Sequence, residues 1–274
     1  MPTWISEEDR RRFRSDGYMV IRRVVPAHIV ENAAREIAAF IGADLRDRST
    51  WYRGAPQNDG IVPMHHGQSL WNIRQCPALH EVFSEFWDTH RLMVDINRCL
   101  FRPPRNWRHR TISRSRIHWD TDPRLPGPGS LQGVVLVSDV AGPNCGGYQC
   151  LPDIYQNLEA WLQRNAEPDF DFFNPGLSGL KTVQIEGNAG DVILWSTKLP
   201  HGSAANLSKH PRIAAFVSMQ HPGRNDPAQM KTWWLTKQAP HYWRGLPGQP
   251  DSEPGPPAAL TNLGLKLIGS LPWD

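Results

Sequence analysis

The feature that most restricts the fold is a series of short β-type segments in the middle of the chain, each ended by Gly, Pro or Asn. Helical patterns do not alternate with them in a regular order. Several short strands with turn signals between them, and no repeated strand-helix unit, predict an antiparallel sandwich or barrel. The segments cover residues 92–101, 113–119, 131–140, 181–186, 191–195 and 212–221.

Helical patterns come mainly before these segments. Ser6 followed by three acidic residues predicts a helix N-cap, and the helix should end at Gly17. Pro26 precedes apolar residues at helical spacing, which predicts an amphipathic helix ending at Gly42. Further helices are predicted over residues 77–90 and, between two strands, over 153–163.

The length of 274 residues and a hydrophobic content of 39% allow one large domain with a substantial core. We expect a single domain that is mainly β with flanking helices. Within it, residues 1–90 would form a helical layer and a covering loop, residues 91–222 the β-barrel core, and residues 223–274 a C-terminal extension.

Charge and composition restrict the partners. A net charge of +3 is too small to indicate nucleic-acid binding, so we expect a small-molecule substrate. The N-terminus is charged and lacks the apolar run of a signal peptide, and no segment is long and apolar enough to cross a membrane. A cytoplasmic location is therefore predicted. The four cysteines form no C-x-x-C pair, and we expect them to be reduced.

One short motif carries candidate metal ligands. His118 and Asp120 form the one His-x-Asp sequence in the chain, and residues two apart on a strand point to the same side. His201 is a candidate third ligand. Two histidines and one carboxylate leave the opposite side of an octahedral metal open, as in non-haem Fe(II) oxygenases. We assign no chemistry to Trp119, between the first two ligands.

The motif has other interpretations. A His-x-Asp pair occurs by chance, so His118 and Asp120 could be an ordinary surface pair. Two histidines and a carboxylate also occur in hydrolytic zinc sites, although the chain has no His-Glu-x-x-His sequence. A cupin-like sugar-binding or isomerase barrel would keep the strands and the metal, but it would have no need of Arg212.

Arg212 follows His201 by 11 positions, at the start of the next predicted strand. If the two segments are adjacent antiparallel strands, Arg212 lies inside the barrel near the metal site. A buried guanidinium requires an anion, and a cosubstrate that carries a carboxylate would supply a bidentate partner. Alternatively, Arg212 could belong to a structural ion pair.

Taken together, these residues resemble the phytanoyl-CoA dioxygenase family of Fe(II)/2-oxoglutarate-dependent oxygenases. The resemblance rests on His118, Asp120, His201 and Arg212 in this order. It also includes the flanking stretches 16–21, 134–139, 146–147, 190–194 and 201–212.

The resemblance implies a double-stranded β-helix, or jelly roll, with an N-terminal helical layer. It implies that His118, Asp120 and His201 hold Fe(II), while Ser203 and Arg212 hold the distal carboxylate of 2-oxoglutarate. With O2 as the other cosubstrate, the reaction would hydroxylate an unactivated C–H bond of a small molecule and convert 2-oxoglutarate to succinate. Related halogenases have a small residue in place of the carboxylate, so Asp120 favours hydroxylation over halogenation. Desaturation, ring formation, or a metal- or ligand-binding barrel without turnover remain alternatives.

Two departures from the family pattern lie where a substrate could bind. Residues 148–153 replace the usual Gly-Ser-His turn, and residues 159–179 form a long insert. By resemblance, the segment before the barrel covers the active site, which makes Gln68 and Trp71 candidate substrate contacts. Seven arginines and no acid lie between residues 97 and 117, so they either steer an anionic substrate or belong to a solvated loop. These arginines are Arg98, Arg102, Arg105, Arg108, Arg110, Arg114 and Arg116.

Overall fold

The structure is a computed structural model that describes residues 3–53, 60–106, 108, 116–177, 179–222, 226–245 and 251–274. Its largest sheet has six strands in the order β1-β8-β5-β10-β4-β2, a smaller one has the order β7-β6-β9, and β11 pairs with β3. The strands are β1 Tyr18–Ile21, β2 Ile61–Val62, β3 Met93–Val94, β4 Cys99–Arg102, β5 Leu131–Leu136, β6 Tyr148–Cys150, β7 Val183–Gln184, β8 Val192–Ser196, β9 His201–Ser203, β10 Arg212–Phe216 and β11 Met219–Gln220. The α-helices are α1 Glu7–Asp16, α2 Ala27–Phe40, α3 Gln68–Arg74, α4 Pro77–Trp87, α5 Pro152–Gln156, α6 Leu158–Asn165, α7 Pro227–Thr236 and α8 Asn262–Leu267.

The six-stranded and three-stranded sheets face each other across an apolar interior. Leu100, Val134 and Ile193 of the larger sheet pack in one cluster with Tyr148 and Cys150 of the smaller sheet. All strand pairings within these sheets are antiparallel. The predicted class, mainly β with flanking helices in a jelly roll, is confirmed; the two sheets are open at their edges and do not close into a continuous barrel.

Helices cover the other face of the larger sheet. Because side chains alternate along a strand, Val134 faces the interior while Val135 packs with the helical layer. The hydrophobic cluster that contains Val135 also contains Ile37 of α2 and Phe83 of α4. Since both faces of the sheet are buried, residues 192–195 of β8 and 133–136 of β5 are continuously apolar rather than alternating.

The predicted N-terminal helices are confirmed. Ser6 caps α1 through a capping box with Asp9, and Gly17 ends the helix with a φ of 79°, a conformation that glycine adopts without steric cost. Helix α2 spans Ala27–Phe40, as its apolar spacing predicts. Helix α4 ends at Trp87, three residues before the predicted end.

Several sequence predictions are wrong in detail. The predicted strand over 92–101 is two strands, β3 and β4, and the one over 181–186 is reduced to the two residues of β7. The predicted helix over 153–163 is interrupted at Asn157, so that it forms α5 and α6. Part of the predicted strand over 113–119 lies outside the described residues.

The C-terminal segment packs back on the helical layer. Trp234 of α7 lies edge-on to Trp71 of α3, with 4.7 Å between ring centroids. The backbone of Glu253 bonds to that of Pro63 and His65. Neither α3 nor α8 was predicted; both are short, so their stability comes from buried residues such as Trp71 and Leu267 rather than from their own sequence. None of the helices in the described ranges combines the length and apolar character needed to span a membrane.

Candidate metal centre

Three side chains meet where one extended segment joins the edge of the smaller sheet. His118 forms an antiparallel bridge with His201, through backbone hydrogen bonds of 2.9 and 3.0 Å. Asp120 lies between the two rings, with Oδ1 3.3 Å from His118 Nε2 and Oδ2 3.4 Å from His201 Nε2. One ligand atom from each residue lies within 4.8 Å of the other two, so the structure brings together the three predicted ligands.

Both imidazole rings are oriented by the backbone. His118 Nδ1 lies 3.0 Å from the Arg116 carbonyl oxygen, and His201 Nδ1 lies 3.0 Å from that of Leu199. A carbonyl oxygen accepts only, so each Nδ1 carries the proton and donates it. Each Nε2 faces Asp120 and donates to it while it carries a proton; loss of that proton leaves a lone pair for a metal, as metal-bound histidines require. The donor set therefore fits a divalent transition metal.

Asp120 is an ionised carboxylate. Desolvation by itself raises its pKa, but hydrogen bonds and charge from His118 and His201 hold the pKa well below its ordinary value. From β5, the Nε2 of Gln132 also donates to Asp120 Oδ2 at 2.7 Å. Sequence reasoning missed Gln132, whose one signal is a polar residue at an interior position of an apolar strand.

Aromatic rings hold His201 from the interior. The ring of Tyr148 stacks on it at 5.6 Å with an interplanar angle of 16°, and the ring of Trp195 lies 5.1 Å away. The hydroxyl of Tyr148 and the indole N–H of Trp195 are buried without a hydrogen-bond partner in the described structure. Tyr148 begins the stretch that departs from the family pattern, so this departure contacts a ligand ring.

Arg212 lies inside the fold with only 2% of its surface exposed. Its Nη1 donates to Ser203 Oγ at 3.2 Å, while its Nε is buried without a hydrogen-bond partner. Burial, together with the charge of Arg102 on the paired strand, lowers the pKa of Arg212 to about 9. Among the described residues, no carboxylate lies within ion-pair distance of Arg212. These features fit a binding site for an anion.

The strands that bring Arg212 next to Ser203 are not the ones predicted. Arg212 was expected on a strand adjacent and antiparallel to the segment of His201, but β9, which holds His201 and Ser203, belongs to the smaller sheet and β10 to the larger one. Arg212 and Ser203 meet because both side chains point into the space between the sheets. Gly146 leaves room beside them, since a Cβ at this position would lie 3.2 Å from the Cβ of Arg212.

The long insert packs behind the ligand segment. Trp119 is fully buried, and its indole N–H donates to the Lys198 carbonyl at 2.9 Å. Its ring lies 5.4 Å from that of Trp161 and 5.9 Å from that of Phe170. Its backbone N–H donates to the Phe172 carbonyl at 2.9 Å. Trp119 therefore fixes the segment that carries His118 and Asp120.

The candidate substrate contacts lie elsewhere. Trp71 is fully buried in the helical layer and donates to His66 Nδ1 at 3.2 Å. Gln68 bonds to Asn72 and to the backbone of Ala259. The structure therefore brings both residues to the C-terminal segment rather than to the three ligands, and their role in substrate binding stays a prediction. Of the seven arginines, Arg110 and Arg114 lie outside the described residues.

Comparison with known proteins identifies the family. A model of the phytanoyl-CoA dioxygenase family matches residues 13–214, nearly three quarters of the chain. The chain therefore belongs to the phytanoyl-CoA dioxygenase family, as its residues predicted. A putative phytanoyl-CoA dioxygenase of Dictyostelium discoideum is 25% identical over 256 residues, which cover 76% of this chain and 73% of that protein.

Solved structures share the fold. The non-haem 2-oxoglutarate-dependent carbocyclase SnoK from nogalamycin biosynthesis has a TM-score of 0.54 at 19% identity, covering 86% of this chain and 91% of its own. The epimerase SnoN, in complex with Fe3+, 2-oxoglutarate and a nogalamycin compound, has a TM-score of 0.52 at 15% identity, covering 78% and 83%. At these identities the likeness extends to the fold alone.

Proposed function

We propose that the protein is an Fe(II)/2-oxoglutarate-dependent dioxygenase that hydroxylates an unactivated C–H bond of a small molecule. His118, Asp120 and His201 would hold the iron, and Arg212 with Ser203 would hold the distal carboxylate of 2-oxoglutarate. Desaturation or ring closure would use the same residues.

This proposal rests on one observation: a metal site and an anion site lie together in the interior between the two sheets. A three-ligand cluster alone would suit several metals and several reactions. The buried guanidinium of Arg212, with an unpartnered Nε and a hydroxyl beside it, adds a place for a carboxylate. Ser203 is two residues from His201 on β9, so the anion site and the metal site lie within reach of one small dicarboxylate.

The residues have distinct roles in this chemistry. When bound, the iron and 2-oxoglutarate activate O2 and supply an oxidant strong enough to remove hydrogen from a C–H bond. The two histidines donate neutral nitrogen ligands, because their Nδ1 protons are held by backbone carbonyls. Asp120 contributes negative charge and one protein ligand that halogenases lack. Arg212 orients 2-oxoglutarate and, being buried, distinguishes a dicarboxylate from a 2-oxo acid without the second carboxylate.

The direct test is consumption of 2-oxoglutarate in air with Fe(II) and ascorbate, followed as succinate formation. Uncoupled turnover occurs without the true substrate, so we expect succinate from the protein alone, above the level given by Asp120→Ala. If iron binds but no succinate forms with any candidate substrate, the protein is a metal-binding barrel without turnover.

The substrate is sought separately. A pool of metabolites incubated with the active protein is examined by mass spectrometry, and hydroxylation adds one oxygen to the substrate. Loss of two hydrogens instead would assign desaturation or ring closure to the same site.

A further inference from the structure

Gln132 contacts the metal site from the opposite sheet. On β5, it lies on the same face as Val134 and Leu136, which point into the interior. Its amide Nε2 donates to Asp120 Oδ2 at 2.7 Å, a short hydrogen bond to a charged acceptor. Gln132, on the larger sheet, thus holds the carboxylate of Asp120, which lies on the segment beside the smaller sheet.

The orientation of this amide follows from chemistry. Asp120 Oδ2 lies 2.7 Å from the amide nitrogen, and a carboxylate that binds a metal only accepts hydrogen bonds, so a reversed amide would set two acceptors against each other. The NH2 group of Gln132 therefore faces Asp120. Its Oε1 is buried without a hydrogen-bond partner in the described structure. The contact with Asp120 therefore leaves Oε1 of the same amide unpaired in the described structure, a cost that the bond to the carboxylate must offset.

The two oxygens of Asp120 consequently differ. Oδ2 accepts the bond from Gln132 and lies 3.4 Å from His201 Nε2. Oδ1 lies 3.3 Å from His118 Nε2 and receives no bond from Gln132. The hydrogen bond from the Gln132 amide occupies a lone pair of Oδ2. Oδ1 is therefore the better electron-pair donor to a metal.

The number of oxygens that Asp120 gives to the metal decides how many positions remain open. With two imidazoles and one oxygen, an octahedral metal keeps three open positions; with both oxygens bound, it keeps two. The proposed reaction needs three, because 2-oxoglutarate takes two and O2 takes one.

We propose that Gln132 is a positioning residue that keeps Asp120 a one-oxygen ligand and so preserves the third open position. The consequence for turnover rests on the proposed function. The coordination of Asp120 itself is a property of the metal complex and is measured without 2-oxoglutarate or substrate.

The test replaces Gln132 by Met, which keeps the length of the side chain and removes the donor. Gln220→Met is the matched control, since Gln220 also has a buried, unpaired Oε1 and donates to the Leu131 carbonyl at 2.7 Å without contacting Asp120. Co(II) serves as the probe: titration gives its stoichiometry, and crystal structures of the loaded proteins show which oxygens of Asp120 bind. Gln132→Leu, which also has no donor and cannot bind a metal, replaces Gln132→Met if that variant does not fold.

We expect one Co(II) per chain and one Asp120 oxygen in the wild type and in Gln220→Met. In Gln132→Met, both oxygens should bind, and succinate formation with saturating Fe(II) should fall by about 10-fold or more, as is typical when an outer partner of a metal ligand is removed. One-oxygen binding in Gln132→Met, or unchanged succinate formation, overturns the role of Gln132 and leaves the proposed function intact. Wild-type protein that does not bind Co(II) through the three ligands overturns both.

Discussion

His201 connects more of the metal site than either other ligand. Its backbone forms a β-bridge with His118 and its Nε2 points at Asp120. Its ring packs against the rings of Tyr148 and Trp195. These contacts fix the ring before any metal arrives, so the entropy of ordering the ligand is lost during folding rather than during binding.

His201→Ala removes one of three protein ligands, and we expect the variant not to retain iron at concentrations that load the wild type fully. Iron content after gel filtration measures this directly. His210→Ala, which removes an exposed histidine, should retain iron. Equal iron in His201→Ala and the wild type would show that the three residues are not the ligand set.

Arg212→Ala should weaken 2-oxoglutarate binding by about 3–5 kcal/mol while sparing iron, because it removes one side of a buried charge pair. Calorimetric titration of the metal-loaded protein with 2-oxoglutarate gives the affinity. Arg116→Ala provides the comparison, since Arg116 is exposed and belongs to the arginine-rich stretch. An unchanged affinity in Arg212→Ala would refute its assigned role.

At the scale of elements, the helical layer contains a buried titratable group that the metal site does not use. His66 is 4% exposed and accepts a hydrogen bond from Trp71. Burial, followed by the charges of Arg74 and Lys237, lowers the pKa of His66 to about 4. In the pH range between its ordinary pKa and this lowered pKa, His66 is therefore neutral in the folded chain and protonated in the unfolded chain.

The sign of the resulting pH dependence follows. Between pH 6.5 and about 4, the unfolded state binds a proton that the folded state does not, so the free energy of unfolding falls as the pH falls through this window. His66 should contribute on the order of 2–3 kcal/mol to this loss. Urea unfolding of metal-free protein at about pH 7 and about pH 4 measures it. The loss should shrink in His66→Asn and persist in His28→Asn, where the histidine is exposed; equal losses would contradict the assignment.

The elements also show what a sequence can and cannot predict here. Helices α1 and α2 were predictable because caps and apolar spacing are local signals. The proximity of His118, Asp120 and His201 was predictable because His118 and Asp120 follow the period of a strand and His201 completes a known set. The sheet to which each strand belongs is a long-range property, which is why Arg212 was expected beside β9. Gln132 was missed for the same reason, since its partner Asp120 is in a different layer.

At the scale of the whole molecule, the larger hydrophobic cluster includes residues from both ends of the chain. It extends from Ile5 to Ile268 and joins helices α2, α4 and α8 to the outer face of the large sheet. A single domain, in which the helical layer and the C-terminal extension depend on this one core, stays our prediction.

We accordingly expect calorimetry of the metal-free protein to give one unfolding transition, with a van 't Hoff enthalpy close to the calorimetric enthalpy. Two resolved transitions would instead show that the C-terminal extension or the helical layer unfolds independently of the β core. Removing residues 251–274 should lower the temperature of the single transition rather than abolish a separate one.

The pairing of His118 with His201 has a further consequence. Only one pair of backbone hydrogen bonds joins these two residues, and side chains on paired strands alternate between faces. A slip of one residue in this pairing would turn one imidazole to the outside and separate it from Asp120. We therefore expect that a chain in which this pairing is shifted by one residue would fold without binding the metal.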